Sequence, residues 1–447
     1  MNSLEQYIEL HDQHRQTIEA NAPAVLNGLR QQARQALEGA ALPRKGQEDY
    51  EATDLNAIFA PDYGVNIGRL DFDIDPAKAF HCDVPNMSTC MYYTYNDVFH
   101  RSSTARRQPG GVVVESLAEA AVSHRELLER YYGQLAKLSD PTVALNTLLA
   151  QDGVLVYVPA GVTADKPIQL VNILNSSRPM MAVRRVLVVL ERDAHARLLV
   201  CDHTQSTGVE ALTSQVIEVF ADENATFDYY DMEESGPLTR RVSSIYVMQK
   251  AGSNVLVDGI TLTNGITRND YHVVVDGEHA ETQLLGMTIA SGKQHVDTHT
   301  FVDHRAPRCH SNEMFKYVLG DQAVGAFAGK ILVQPQCPRV EAYQGNRNIC
   351  SSDKAKMYTK PQLEIYTDDV KCSHGTTIGQ LDDEALFYMR TRGIGLEQAR
   401  NLLMQAFMAD VIDAVRLDTL RDRLRYLVEK RFNGTLANCG ACAAACR

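Results

Sequence analysis

Between Glu191 and Ala280 one kind of turn recurs along the chain at nearly even intervals. Glu191-Arg-Asp-Ala-His-Ala, Ala221-Asp-Glu-Asn-Ala, Lys250-Ala-Gly-Ser-Asn-Val and Val275-Asp-Gly-Glu-His-Ala each close one apolar run and open the next. Their last small residues, Ala196, Ala225, Val255 and Ala280, are spaced by 29, 30 and 25 positions. Repetition at such a period is the mark of a solenoid, in which each coil buries its apolar face against the next. The runs between the turns are short and rich in Val, Ile, Leu and Tyr: Val154 to Val158, Val186 to Leu190, Val216 to Phe220, Ile245 to Met248 and Tyr271 to Val275. No helical pattern intervenes, so the spacing predicts a β-helix over residues 151–380, with a two-sheet sandwich as the competing architecture.

Helical patterns flank this region. In residues 1–150 the apolar stripe Leu26, Leu29, Ala33, Leu37 keeps a three-to-four spacing, and Leu117 to Leu138 repeats the pattern, among mixed and turn-rich stretches. Residues 381–432 open with the acidic first turn Asp382-Asp-Glu and break at Arg392-Gly-Ile-Gly. The stripe Leu396, Ala399, Leu403, Phe407, Val411, Val415 follows, then Leu417, Leu420, Leu424, Leu427. So short a unit carries more apolar surface than it can bury alone, and must pack on the solenoid or receive a partner. Residues 433–447 form a Cys-rich tail expected to be flexible.

Charge and composition exclude several classes. The 447 residues carry a net charge of −12, against the basic face of a nucleic-acid binder. No apolar run is long enough to span a bilayer, and Met1 to Arg15 lacks the apolar core of a signal peptide. The expected location is therefore the cytoplasm, where the ten cysteines stay reduced and serve as buried small residues or metal ligands.

Three groups of residues bear on chemistry. In Lys371-Cys-Ser-His-Gly-Thr-Thr, alternation places Cys372 and His374 on one face of a strand, roughly 7 Å apart at Cα. A thiol and an imidazole make half of a metal site, since such sites commonly want about four ligands. The alternative is a buried thiol beside a hydrogen-bonded imidazole. In the tail, Cys439, Cys442 and Cys446 follow a Cys-x2-Cys-x3-Cys spacing that suits a partial metal or cluster site, or else an unstructured end. The histidines His295, His299, His304 and His310 form a third group, in which His295, Asp297 and His299 share a strand face, as in a metal site or else in a polar strand face in contact with water. Gly325 to Lys330 only mimics a phosphate loop. It has three residues between its glycines instead of four, and Ile331 where Ser or Thr would hold magnesium.

The stretch Lys360-Pro-Gln-Leu-Glu-Ile-Tyr-Thr-Asp-Asp-Val-Lys-Cys-Ser-His-Gly-Thr-Thr-Ile-Gly, followed by Leu386-Phe-Tyr-Met-Arg-Thr-Arg-Gly-Ile394, closely resembles the SufB/SufD family of iron–sulfur cluster assembly scaffolds. Weaker resemblance runs back through Asp152-Gly-Val-Leu-Val-Tyr-Val-Pro159 to Leu42-Pro-Arg-Lys-Gly-Gln-Glu-Asp-Tyr50. SufB-type members carry a Glu where this chain has Gly375, so the phrase sits on the other side of the family. The resemblance implies a right-handed parallel β-helix with helical ends. It also implies a non-catalytic subunit whose C-terminal helices bind the ATPase SufC and whose β-helix pairs near its C-terminal end with a SufB-like paralogue, or with a second copy in isolation. A transient iron–sulfur cluster, shared with SufB and not held tightly by the isolated chain, is expected at that junction, with His374 as a ligand and Cys372 beside it. The tail is not part of the resemblance. A carbohydrate-active or acyl-transferring β-helix enzyme, with Asp297 and Asp303 as its acids, is the alternative from another class.

Overall fold

The computed structural model describes residues 2–70, 88–100, 108–205 and 208–434. The repeated turns are corners of a parallel β-solenoid whose strands alternate between two ten-stranded sheets. The first sheet contains Val154–Val158, Met180–Leu190, Ala211–Ala221, Thr239–Gln249, Ile266–Val275, His295–His304, Val324–Val333 and Lys356–Ile365. The interleaved strands Ile168–Leu174, His195–Thr204, Thr226–Glu234, Asn254–Thr263, Glu281–Ala290, His310–Leu319, Val340–Cys350 and Val370–Gly379 make the second. Each strand pairs in parallel with the strand two places on, which rules out the antiparallel sandwich. The five runs singled out in the sequence all lie in the first sheet.

The corners stack in a fixed column. The N–H groups of Thr226, Asn254, Glu281, His310 and Glu341 donate to the carbonyls of Ala194, Ala225, Ser253, Ala280 and Cys309 at 2.8–3.0 Å. The repeat read from the sequence placed Ala196 and Val255 where Ala194 and Ser253 belong. A slip of two residues keeps a side chain on the same face, so Ala196 and Val255 still point into the solenoid interior. The residue before each column member is left-handed: Asp193, Asn224, Gly252, His279 and Arg308, with φ between 57° and 68°. At Gly252 a Cβ would sit 2.3 Å from Asn224 Oδ1, so both the turn and the stacking favour glycine there.

The interior is an apolar column from Val154 to Ala342 that also holds an ionic layer. Arg241 reaches Asp202 at 2.8 Å and also binds Asp231, while Arg184 reaches Asp202 at 2.9 Å, all four side chains being buried.

Helices clothe the two outer faces. Leu4–Ala20, Ala24–Ala36 and Pro141–Leu149, buried from Thr142 onward, pack on the first sheet, with Leu26, Ala33 and Leu37 buried and Leu29 beside them. The helical pattern from Leu117 to Leu138 divides into Leu117–Ser123 and Arg125–Tyr131 at His124, whose ring bonds Glu115 at 2.9 Å. It then ends because the N–H groups of Gly133, Leu135 and Ala136 turn to wrap the Glu218 carboxylate. Leu396–Ala414 and Asp418–Phe432 pack on the second sheet through Met408, Val411, Leu420, Leu424 and Leu427. No helix among the described residues is long and apolar enough to cross a membrane.

The two ends of the solenoid differ. At the N-terminal end Val113–Ser116 closes the first sheet in antiparallel fashion, and Cys90–Tyr95 with its hairpin partner Val98–Phe99 closes the second. At the C-terminal end Lys356–Ile365 and Val370–Gly379 are the last strands, each with one edge unpaired among the described residues.

Candidate functional site

Among the described residues Val370–Gly379 pairs only with Val340–Cys350, which sets Cys372 opposite Ala342, His374 opposite Gln344 and Thr376 opposite Asn346. Those three partners are buried inside the solenoid. Cys372, His374 and Thr376 therefore share the interior-facing side of the last strand, as alternation anticipates, but no further coil covers them. Cys372 is half-buried against the apolar column, and burial pushes its thiol pKa up while a main-chain bond at Ala342 pulls it down. His374 is exposed. Thr376 Oγ1 lies 2.9 Å from Thr359 Oγ1, which ties the last strands of the two sheets together across the mouth. Lys371 faces the other way and pairs with Glu341 at 2.7 Å.

Gly375 also faces outward, where a Cβ would meet nothing within 4 Å. With Gly345 behind it, Gly375 lies on a cleft of about 530 Å³ whose walls include Tyr343, Ser373, Arg347 and Asp410. Beneath His374 a polar column runs inward, from Gln344 Nε2 to Glu313 Oε2 at 3.2 Å and from Thr300 Oγ1 to Glu313 at 2.6 Å. Burial pushes the Glu313 carboxyl up to about 7, against the opposing pull of those two hydrogen bonds. Sequence reasoning missed Gln344, Glu313 and the threonine pair. The available signal was the alternation Ser311, Glu313, Phe315, Tyr317, which puts Glu313 on the same face as two aromatic core residues.

The other sequence candidates fall elsewhere. His295, Asp297 and His299 do share the outer face of one strand. Their polar atoms anchor the N-terminal segment instead: Thr53 Oγ1 bonds Asp297 and lies 2.8 Å from His295, Arg268 reaches Asp297 at 3.0 Å, and His299 sits 3.2 Å from Asp297. Tyr50 covers Arg268 with its ring centroid 4.4 Å away. His304 is buried and bonds Ser311 at 2.8 Å, and the His310 ring lies tilted 5.9 Å from that of Tyr343, so the four histidines make no single cluster. Among the described residues no group of three or more His, Cys, Asp or Glu is placed to hold a metal. Asp303 pairs with Arg305 at 2.7 Å, and stands six positions from Asp297 on one strand, roughly 20 Å away. A glycosidase pair sits within about 10 Å. Gly325 to Lys330 lies in a strand, with Lys330 paired to Glu364 at 2.7 Å. Cys439, Cys442 and Cys446 lie outside the described residues.

Apolar side chains gather around the open end. Tyr366 and Ile378 are 60% and 51% exposed, and the helix Asp383–Thr391, capped by Asp382 on the N–H groups of Glu384 and Ala385, carries Phe387 and Tyr388 at 72% and 58%. The fold and site thus define a two-sheet parallel β-solenoid, closed at one end, with the Cys372 thiol and His374 imidazole at the other. Comparison with known proteins agrees. Residues 172–407 match the model described as "SUF system FeS cluster assembly, SufBD core domain", and residues 1–170 match "SufBD protein N-terminal region". An iron–sulfur cluster assembly SufBD family protein of Synechocystis is 30% identical over 91% of both chains. The iron–sulfur cluster assembly protein SufD of Bacillus subtilis is 24% identical over 92% of this chain and 94% of its own. SufD of Escherichia coli is 28% identical over 47% of this chain and 50% of its own. The chain belongs to the SufBD family of iron–sulfur cluster assembly proteins, and within that family it is SufD-like.

Proposed function

We propose that this chain is a non-catalytic scaffold subunit that pairs with a SufB-like paralogue through its open solenoid end and shares a nascent iron–sulfur cluster there. The observation that carries this reading is the last strand: an unpaired edge of ten residues with exposed His374 and half-buried Cys372 on its interior side. Unpaired strand edges recruit other strands, and the polar and apolar side chains of this one extend the contact. The cluster is cargo in this account. His374 supplies a neutral imidazole nitrogen, Cys372 a thiolate after losing its proton, and the partner the remaining ligands. Gly375, where SufB-type members carry Glu, leaves outward room that a partner's side chain fills.

The helices Asp383–Thr391, Leu396–Ala414 and Asp418–Phe432 bind a SufC-type ATPase, with exposed Phe387 and Tyr388 as anchors. Cys439, Cys442 and Cys446 hold or relay iron, a cluster or zinc. The residue divisions 1–150, 151–380, 381–432 and 433–447 correspond in this scheme to a covering N-terminal region, the solenoid, the ATPase-binding unit and the metal-handling tail. The work is done in the cytoplasm.

Hydrogen exchange of Val370–Gly379 on mixing with the SufB-like paralogue tests the pairing. Amides of this strand gain protection if it is the interface, whereas unchanged exchange in a formed complex places the interface elsewhere. Protection in the isolated chain that rises with its own concentration identifies a homodimer on the same edge. Truncation after Gly434, followed by metal analysis of the anaerobic protein, tests the tail, and unchanged metal content removes it from the scheme.

A further inference from the structure

The outer face of the second sheet holds a carboxyl that the assembly chemistry does not use. Across successive strands Leu199, Tyr230, Asp258, Leu285 and Met314 form one row. The neighbouring outward residues of the same strand, Leu256, Ile260 and Leu262, belong to the apolar layer sealed by Leu396–Ala414 and Asp418–Phe432. Asp258 is therefore an acid set in the middle of a hydrophobic seam between two structural units. It is fully buried, and neither carboxylate oxygen has a hydrogen-bond partner among the described residues.

The charged groups that rim this seam have other partners. From the helices and their linker, Arg416 takes Asp228 at 2.9 Å and Asn254 at 2.8 Å, and its N–H bonds the Tyr230 hydroxyl at 3.0 Å. Arg431 binds the Leu262 carbonyl, Ser291 and Gln294 at 2.8–2.9 Å. From the sheet, Lys316 pairs with Asp410 and the Phe407 carbonyl. Farther along the same face His203 lies 3.6 Å from Glu234. These contacts pin the margins of the helix pair, while the unpaired acid lies under its centre.

We propose that Asp258 is a proton-operated latch: the C-terminal helix pair seats on the solenoid with the Asp258 carboxyl neutral, and ionisation of that carboxyl loosens the seat. The free-energy argument follows from burial. An unpaired carboxylate in an apolar seam has lost its water and gained nothing, and burial pushes this group up to about 7. When the helices lift, the carboxyl meets water and returns to the ordinary range near 4. Seating thus takes up a proton between those values, and each unit of rising pH within that window weakens it by up to about tenfold. Because the same helices form the proposed ATPase-binding unit, the latch would make its posture responsive to pH. The latch itself stands on the seam geometry alone.

The test is hydrogen exchange of the full-length chain, reading amides of Leu396–Ala414 and Asp418–Phe432 at about pH 5.8 and about pH 7.2, corrected for intrinsic rates. The wild type is expected to lose about tenfold in protection across that interval. Asp258→Asn and Asp258→Leu are expected to show no such loss and to exceed the wild type in protection at the higher pH. The leucine variant matches Leu256 and Leu285 around it and carries the test if the amide variant fails to fold. A loss that persists in a folded variant assigns the effect to His203 or Asp228 and overturns the proposal, as does a wild type with no loss.

Discussion

Cys372 and His374 sit two residues apart and meet different surroundings. The imidazole is exposed at the mouth, while the thiol leans into the apolar column and has its pKa raised by burial. A thiol must lose its proton to bind iron, and the raised pKa makes that loss harder at neutral pH. Cluster yield in the complex is therefore expected to rise with pH through the Cys372 contribution, and Cys372→Ala to remove that rise while leaving the rest; parallel pH series of iron incorporation check this. Glu313, two strands deeper, gives a second residue-scale expectation. Its carboxyl is pushed up to about 7, above the unfolded range near 4.5, so it costs stability once pH exceeds the unfolded value, increasingly up to about 7. The stability gained by Glu313→Gln should grow over that window and then level, as read from urea midpoints of both proteins at several pH values.

At the scale of elements, the last strand and the last helices are where the chain is unfinished. An exposed edge invites pairing, and a lysine on it discourages pairing. Ile378→Lys with Tyr366→Lys is expected to weaken association with the SufB-like paralogue by about tenfold or more, consistent with the loss of two buried apolar anchors, measured by calorimetry. Phe387→Ser with Tyr388→Ser should spare that association and impair ATPase capture instead. These elements were legible in the sequence to different degrees. The Val-rich strands of the first sheet could be read because their apolar runs are unbroken. The second sheet was harder because strands such as Thr226–Glu234 carry Asp228, Asp231 and Glu233, which look solvated in sequence and are buried in the fold. The corner repeat was found two residues out of register at Ala196 and Val255, an error the two-residue period of a strand makes invisible to any test of facing. The break at His124 could not be read, since Glu115 holds its ring, whereas Gly133, left-handed at φ 72° just past the last helical turn, was a stop signal open to reading.

For the molecule as a whole, stability rests on stacking between coils, with the ionic layer as its most exacting part. Arg241 serves Asp202 and Asp231 together inside the solenoid. Arg241→Ala leaves two buried carboxylates short of their cation and is expected to cost about 3–5 kcal/mol of unfolding free energy, checked by chemical denaturation. The asymmetry of the ends, capped at Val113–Ser116 and open at Val370–Gly379, gives the molecule a direction, and in the proposed scheme the open end is the one that takes a partner. The central claim is that the open end is half of a shared cluster site. The most direct measurement is iron and acid-labile sulfide content of the complex with the SufB-like and SufC-type partners, reconstituted anaerobically with wild type, His374→Ala, Cys372→Ala and the double variant, with complex formation confirmed by size-exclusion chromatography. The account predicts that the double variant assembles the complex and loses about tenfold or more of its cluster, with His374→Ala carrying the larger share. Wild-type cluster content in the double variant would contradict it.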